Sequence, residues 1–375
     1  MRGEALRAGG GDLVLALLPC WPLLAACLLA LTGRGQRAAA ALFLAVTGLA
    51  VTILVTPFLP GQDALSGVVR VLAAGMPLLL WRREAAERLS GGVVFLTAFC
   101  VMLAVGLRAM LPVVALLALA SVLPALHEAA GAPRARQAWE KARLRAMGAV
   151  LALLGAALAV SPVGVGTTGR AGMLLLAVGL CLLAGLGQAA FEAPGVDRGL
   201  DGLPRLGALA LMLRLPPHEV IHLVFLVAGL VALALAVLRR ESGTAALVTL
   251  CAAVGVTGSG VLAAALLFLT LGVALECGRI SEGERRWMAA AVPPSPAFPA
   301  AALLVGPLLE MDRLAGGVVL LMVVAQAARL RPAWVERAGP AFWLLAALGV
   351  GAAVTLACGT PGNWPWSGGL AWRAA

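Results

Sequence analysis

Apolar runs of helix length follow one another along nearly the whole chain, separated by short polar stretches rich in arginine, glycine and proline. A helix needs about 20 apolar residues to cross the hydrocarbon core of a bilayer. By that measure the pattern predicts spans at 13–31, 39–59, 67–81, 93–107, 111–126, 147–163, 173–191, 206–215 and 220–238, a long run at 244–274, and spans at 288–309, 314–330 and 341–358. As one helix the long run would measure about 47 Å, and Gly255, Gly258 and Gly260 fall in its middle. Divided there, the chain carries about 14 spans. The piece 206–215 is half-length and stops at Pro216-Pro217, which marks it as a broken helix. The expected fold is an all-α polytopic membrane protein forming a single integral membrane domain over 1–375.

Composition agrees with that pattern. Hydrophobic residues make up 62% of the 375, charged residues only 12%, and mean hydropathy is +0.99. A soluble domain carries about a quarter charged residues, and no polar half is present that could fold separately in water. The first run is too long for a signal peptide and is followed by further spans, so it is kept in the mature protein. The seven cysteines form no C-x-x-C pair, and most lie inside apolar runs, where a free thiol acts as a small hydrophobe.

Charge orients the spans. The net charge of +10 is almost all arginine, because Lys141 is the only lysine. With fourteen spans, about twenty basic residues fall on one side of the membrane and about five (Arg2, Arg7, Arg170, Arg313, Arg373) on the other. Counts of twelve or thirteen spans scatter them over both faces. The basic side is then cytoplasmic, both termini are periplasmic, and the absence of tyrosine with abundant Arg, Ala and Gly suits a bacterial inner-membrane protein from a GC-rich genome. No aromatic-plus-basic module of the kind that stacks bases is present, so a nucleic-acid partner is excluded; the lipid bilayer is the first partner.

The densest polar knot in the second half is His218-Glu219-Val220-Ile221-His222, an H-E-x-x-H with Arg214 one turn before it. On a helix this spacing sets two imidazoles on one face with a carboxylate beside them, the usual zinc-hydrolase pattern. Catalytic zinc needs a third protein ligand. The spacing nominates Glu241, which would lie about 28 Å along a continuous helix. Leu200-Asp201-Gly202 precedes the motif instead of following it, and His127 would have to fold back from a distant loop. The bland reading, a polar cluster serving backbone groups at the proline break, is preferred, and His218 with His222 stays as the alternative metal pair.

Four stretches in order resemble a known family. "ARQAWEKARLRAMGAVLALLGAALAV" resembles the "EAAxKY" start of a sixth helix, with Lys141 at its lysine. "LLAVGLCLLAGLGQ" resembles "GLAFKAGLVPFH", "RLGALALMLRL" resembles "SKxGxxxLLR", and "AVPPSPAFPAA" resembles "GLPPTAGFIGK" with Pro293, Pro294 and Phe298 in register. These belong to the antiporter-like membrane subunits of respiratory complex I, of related membrane-bound hydrogenases and of Mrp-type sodium/proton antiporters. The resemblance implies 14 helices with both ends outside, and two inverted five-helix repeats (here 91–240 and 241–358), each with a broken helix. It implies other membrane subunits of a redox or antiporter complex as partners. No flavin, iron–sulfur or nucleotide motif is present, so any redox cofactor would lie on those partners and this chain would carry none; it would be a non-catalytic subunit of an NADH–quinone oxidoreductase-like or hydrogenase-like complex.

The departures from the family set the expected mechanism. Its fifth-helix glutamate aligns with Leu119, its seventh-helix lysine with Leu183, and the lysine after "PPxxGFxG" with Ala301. Only the eighth-helix lysine keeps a cation, as Arg205, and a guanidinium does not release its proton near neutral pH. Ionisable groups at membrane depth are costly and usually functional. The remnants of a proton path would be Lys141, Glu192, Arg205, Arg214, His218, Glu219 and His222; Glu192 could pair with Arg205 or Arg198. Arg70 is expected to snorkel to an interface, Arg108 to sit at a turn, and Gln326 to make an interhelical hydrogen bond. A stand-alone secondary transporter remains the second expectation and an intramembrane zinc hydrolase the third.

Overall fold

The computed structural model describes residues 18–32, 34–56, 64–79, 90–107, 109–131, 135–160, 167–186, 199–212, 214–215, 218–239, 243–254 and 297–330. Within these the chain is all helix and turn, in twelve helices: α1 Cys20–Leu31, α2 Arg34–Val55, α3 Ala64–Leu79, α4 Ser90–Gly106, α5 Met110–Gly131, α6 Ala135–Val160, α7 Thr167–Leu183, α8 Gly199–Met212, α9 Glu219–Arg239, α10 Thr244–Val254, α11 Ala297–Met311 and α12 Arg313–Leu330. Three stretches, Trp139–Ala159, Glu219–Arg239 and Arg313–Leu330, are long and apolar enough to cross a membrane, and eight shorter helices are apolar as well. The second half of the 244–274 run, the 341–358 span and the Pro293–Pro294 break lie outside the described residues. Of that run, α10 ends at Val254, immediately before Gly255.

α9 shows why these sequences form membrane helices. Backbone polar groups in lipid must bond within their own segment, which a helix alone achieves for a single strand of chain. Ile221, Phe225, Gly229, Leu233 and Ala236 follow the helical repeat and are buried. Leu223, Val227, Val231, Leu235 and Leu238 follow the same repeat on the other face and are exposed. A water-soluble protein does not present an apolar stripe of this length. Glu219 in the first turn and Arg239 in the last complement the helix dipole. The chain is a multi-pass membrane protein.

Two packing features organise the bundle. α6 and α7 run antiparallel with their backbones in contact through glycine: a Cβ on Gly155 would sit 2.2 Å from the Leu176 nitrogen, and one on Gly179 would sit 2.4 Å from the Ala152 nitrogen. Small residues permit this approach, which supplies dispersion contacts where lipid offers no hydrophobic drive. The short helix α8 is the second feature. It packs against α3, α4, α5, α7 and α10, and of the side chains described between Gly202 and Met212 only Arg205 is not fully buried.

Some boundaries differ from the sequence expectation. α6 starts at Ala135 instead of near 147, so Lys141 and Arg145 are helical and buried where a cytoplasmic loop was expected. Hydropathy stops at the first charge, whereas the helix continues because Lys141, Ala142, Arg145 and Ala149 share its inward face. The half-length piece at 206–215 is the C-terminal part of α8, which begins at Gly199.

Candidate functional site

Several of the charged side chains inside the bundle stand at helix ends. α4 stops at Gly106, and the last carbonyls of a helix have no partner within it. Leu107 N–H serves Leu103 and Ala104 at 3.2 and 3.3 Å. The Val105 carbonyl is met by Arg214, whose Nη1 donates to it at 3.0 Å across 109 residues of sequence. Arg214 is 8% exposed and follows α8, its own N–H bonding Leu211 at 3.0 Å. Arg70 of α3, fully buried, comes to the same end of α4: a Cβ on Gly106 would stand 2.9 Å from its Nη2. Arg70 therefore faces protein and does not snorkel; the glycine leaves the room its guanidinium occupies. A void of about one water molecule lies beside Arg214, bounded by Ala104, Val105, Leu117 and Gly207.

Further cations lie at the end of α7 and on α6. α7 ends with Leu186 N–H bonding the Cys181 carbonyl at 3.0 Å and Gly185 N–H bonding that of Leu182 at 3.1 Å, the glycine carrying φ +85°. This left-handed closure suits glycine alone among common residues. It also makes space, because a Cβ there would lie 2.6 Å from Arg205 Nε. Arg205 thus covers the negative end of the α7 dipole. On α6, Arg145 is 1% exposed and its Nη1 donates to the Ser121 carbonyl at 3.2 Å. Ser121 lies within α5 one turn before Pro124, whose missing N–H withdraws the ladder donor from the neighbouring Ala120 carbonyl. Lys141, one turn earlier than Arg145, is 5% exposed.

The histidines of the H-E-x-x-H take up local backbone work. His218 is the residue before α9, and its Nδ1 accepts from Val220 N–H at 3.2 Å, a helix N-cap. His222 Nδ1–H donates to the Ala253 carbonyl at 2.6 Å, tying α9 to the last turn of α10. That bond fixes its tautomer. Glu219 is exposed. Among the described residues no three His, Cys, Asp or Glu side chains stand close enough to hold a metal ion. Gln326 is buried, its amide against Gly243 at the start of α10.

The structure thus brings Arg214 together with Arg70, which the sequence had assigned to the interface, and places Arg205 against the α7 terminus. Lys141 and Arg145 share an inward face. Glu192, Arg108 and the side chain of His127 lie outside the described residues. Of the positions aligned with family proton carriers, Leu183 and Ala301 are buried, but Leu119 is 47% exposed on the outer face of α5. The alignment to Leu119 is out of register with the interior, where Ser121 and Ala118 point. In an apolar helix a slip of one or two residues leaves the hydropathy unchanged, so sequence alone gave no signal for it.

Among the described residues the charged side chains that are buried are Arg70, Lys141, Arg145 and Arg214. Of the described carboxylates, Glu219, Glu310 and Asp312 are exposed and Glu140 is half-buried, so none is in the core. Guanidinium groups hold charge without exchanging it.

The fold itself has known counterparts. A chain of the Mrp complex from Dietzia sp. DQ12-45-1b superposes with a TM-score of 0.66 at 17% identity, over 96% of this chain and 51% of that one. A chain of respiratory complex I from Thermus thermophilus, solved with bound NADH, superposes with a TM-score of 0.61 at 17% identity, over 90% of this chain and 94% of that one. The chain has the fold of the antiporter-like membrane subunits. It spans about half the length of the Mrp chain and nearly all of the complex I chain. No family model and no curated protein sequence matches it.

Proposed function

We propose that the chain is an antiporter-like subunit of a complex I-like or hydrogenase-like membrane assembly, packing between other membrane subunits with proton translocation lost or residual. In this reading it has 14 spans in two inverted five-helix repeats, sits in a bacterial inner membrane with both termini periplasmic, and leaves redox chemistry to its partners. One observation carries it: on a fold like that of the antiporter-like subunits, Arg214 and Arg145 in the described core each donate to a backbone carbonyl, which is structural work for a group that does not release its proton near neutral pH. A relay requires groups that load and unload near ambient pH.

The test is flux. Full-length protein reconstituted into proteoliposomes with an imposed potential and a trapped pH dye should acidify or alkalinise no faster than empty vesicles. Uncoupler-sensitive proton movement well above that background, abolished in Lys141→Ala, would refute the loss of translocation. Purification from its native membrane separates the remaining alternatives: hydrophilic redox subunits should accompany the chain, whereas a stand-alone transporter would come alone.

A further inference from the structure

We propose that the Trp139–Arg143 face at the start of α6 binds the headgroup of an anionic phospholipid. Trp139, Arg143, Met147, Val150 and Leu154 recur at steps of four, four, three and four residues and are all exposed, so they form one outward stripe of α6. Its far part is hydrocarbon: Met147, Val150 and Leu154 are 49%, 62% and 49% exposed. Such a surface is stable only against acyl chains or another apolar body. Between Met147 and Arg143 the stripe changes character, to a guanidinium and then an indole that is 60% exposed. That change marks the depth at which hydrocarbon gives way to headgroups, where tryptophan concentrates because its ring is apolar and its N–H is not. From Arg143 to the end of α6 at Val160 is about 25 Å of helix, close to the thickness of the hydrocarbon core.

Charge selects an anionic headgroup over a neutral one. Between Arg136 and Arg145 the helix carries Arg136, Lys141, Arg143 and Arg145 against the single carboxylate of Glu140. Glu140 Oε1 already engages Arg136 Nε at 3.3 Å, which leaves Arg143 as the outward cation of the stripe. Lys141 and Arg145 are buried on the other face of the same turns and do not reach the lipid. A phosphodiester beside Arg143 would accept the guanidinium fork, and the indole N–H of Trp139 one turn away would reach the same phosphate or its glycerol ester. This inference does not depend on whether the chain moves protons.

Full-length protein purified in neutral detergent is titrated with phosphatidylglycerol, and bound lipid is counted by native mass spectrometry. Arg143→Gln should raise the concentration for half-occupancy about five-fold, and Trp139→Leu should raise it less. Arg143→Lys should restore most of the binding. Arg170→Gln, an exposed arginine near the start of antiparallel α7, should change nothing. Phosphatidylcholine should not compete, nor should millimolar inorganic phosphate. The proposal is overturned if phosphatidylglycerol is not retained, if Arg143→Gln and Trp139→Leu bind as the wild type does, if Arg170→Gln loses as much, or if free phosphate displaces the lipid.

Discussion

The contact between α6 and α7 makes a sharp quantitative test of what holds this bundle together. Gly155 and Gly306 both lie in apolar helices, yet a Cβ on Gly155 would meet the Leu176 nitrogen at 2.2 Å, the Gly172 carbonyl oxygen at 2.7 Å and Leu176 Cα at 2.7 Å, while one on Gly306 would meet nothing within 4 Å. The two Gly→Ala changes share one gain: alanine is the better helix former by about 1 kcal/mol. They differ in the clash. At Gly155 the obstruction is backbone, which cannot rotate aside, so the helices must separate by more than an ångström to restore ordinary contact. A gap of about 0.5–1 Å already forfeits a quarter to a half of each dispersion contact along the seam.

Overpacking a close-fitted core costs about 1–3 kcal/mol, and backbone obstruction puts Gly155→Ala at the upper end, a net loss of roughly 1–2 kcal/mol after the helix gain. Gly306→Ala should be neutral or up to about 1 kcal/mol more stable. Purified proteins in one detergent, unfolded by SDS titration and by heating, should then order Gly155→Ala below wild type and Gly306→Ala at or above it, with apparent melting temperatures separated by several degrees at about 2–4 °C per kcal/mol. Equal midpoints for the two variants would refute the close backbone seam, and with it the packing of α6 on α7 described above.

Two further substitutions probe the helix ends. Arg214→Met removes the donor to the buried Val105 carbonyl and should destabilise by about 1–3 kcal/mol in the same titrations, with Arg214→Lys intermediate. His218→Asn keeps an acceptor before α9 and should match the wild type, whereas His218→Ala should lose about 1 kcal/mol as other lost N-caps do. Metal analysis of the pure protein should find no stoichiometric zinc that His222→Ala removes, since among the described residues no third His, Cys, Asp or Glu stands close enough to His218 and His222 to complete a site.

Much of the architecture was legible because lipid imposes a simple rule: a spanning helix is a long apolar run, and arginine marks where it ends. The runs at 39–59, 93–107, 111–126, 220–238 and 314–330 correspond closely to α2, α4, α5, α9 and α12. The rule failed where a helix carried charge inward. α6 could be read as starting near 147 because Lys141, Arg143 and Arg145 look like loop residues, although only Arg143 is exposed. Arg70 looked like a snorkelling side chain because its Gly106 neighbour, which clears its space, is 36 positions away in sequence. The H-E-x-x-H was legible as a polar knot at a proline break, and its roles as cap and interhelical tie needed the carbonyl of Ala253, which only the folded chain supplies.

The common thread is the use of helix termini as counter-charges. Where a chain breaks its helices inside a membrane, carbonyls at the ends are left without donors, and each carries the negative pole of its helix. Arg214 at the end of α4 and Arg205 at the end of α7 occupy such places, and Arg145 meets the Ser121 carbonyl within α5. An arginine suits them better than a lysine, because its fork spans several acceptors and its charge survives burial, whereas a buried amine can shed its proton. The same property that makes it a good structural cap makes it a poor relay. Changing Arg205 to lysine should therefore weaken the α7 terminus without producing flux: a drop in unfolding midpoint with unchanged proteoliposome traces is the expected result, and proton movement gained with no loss of stability would contradict the assignment of that arginine to structure.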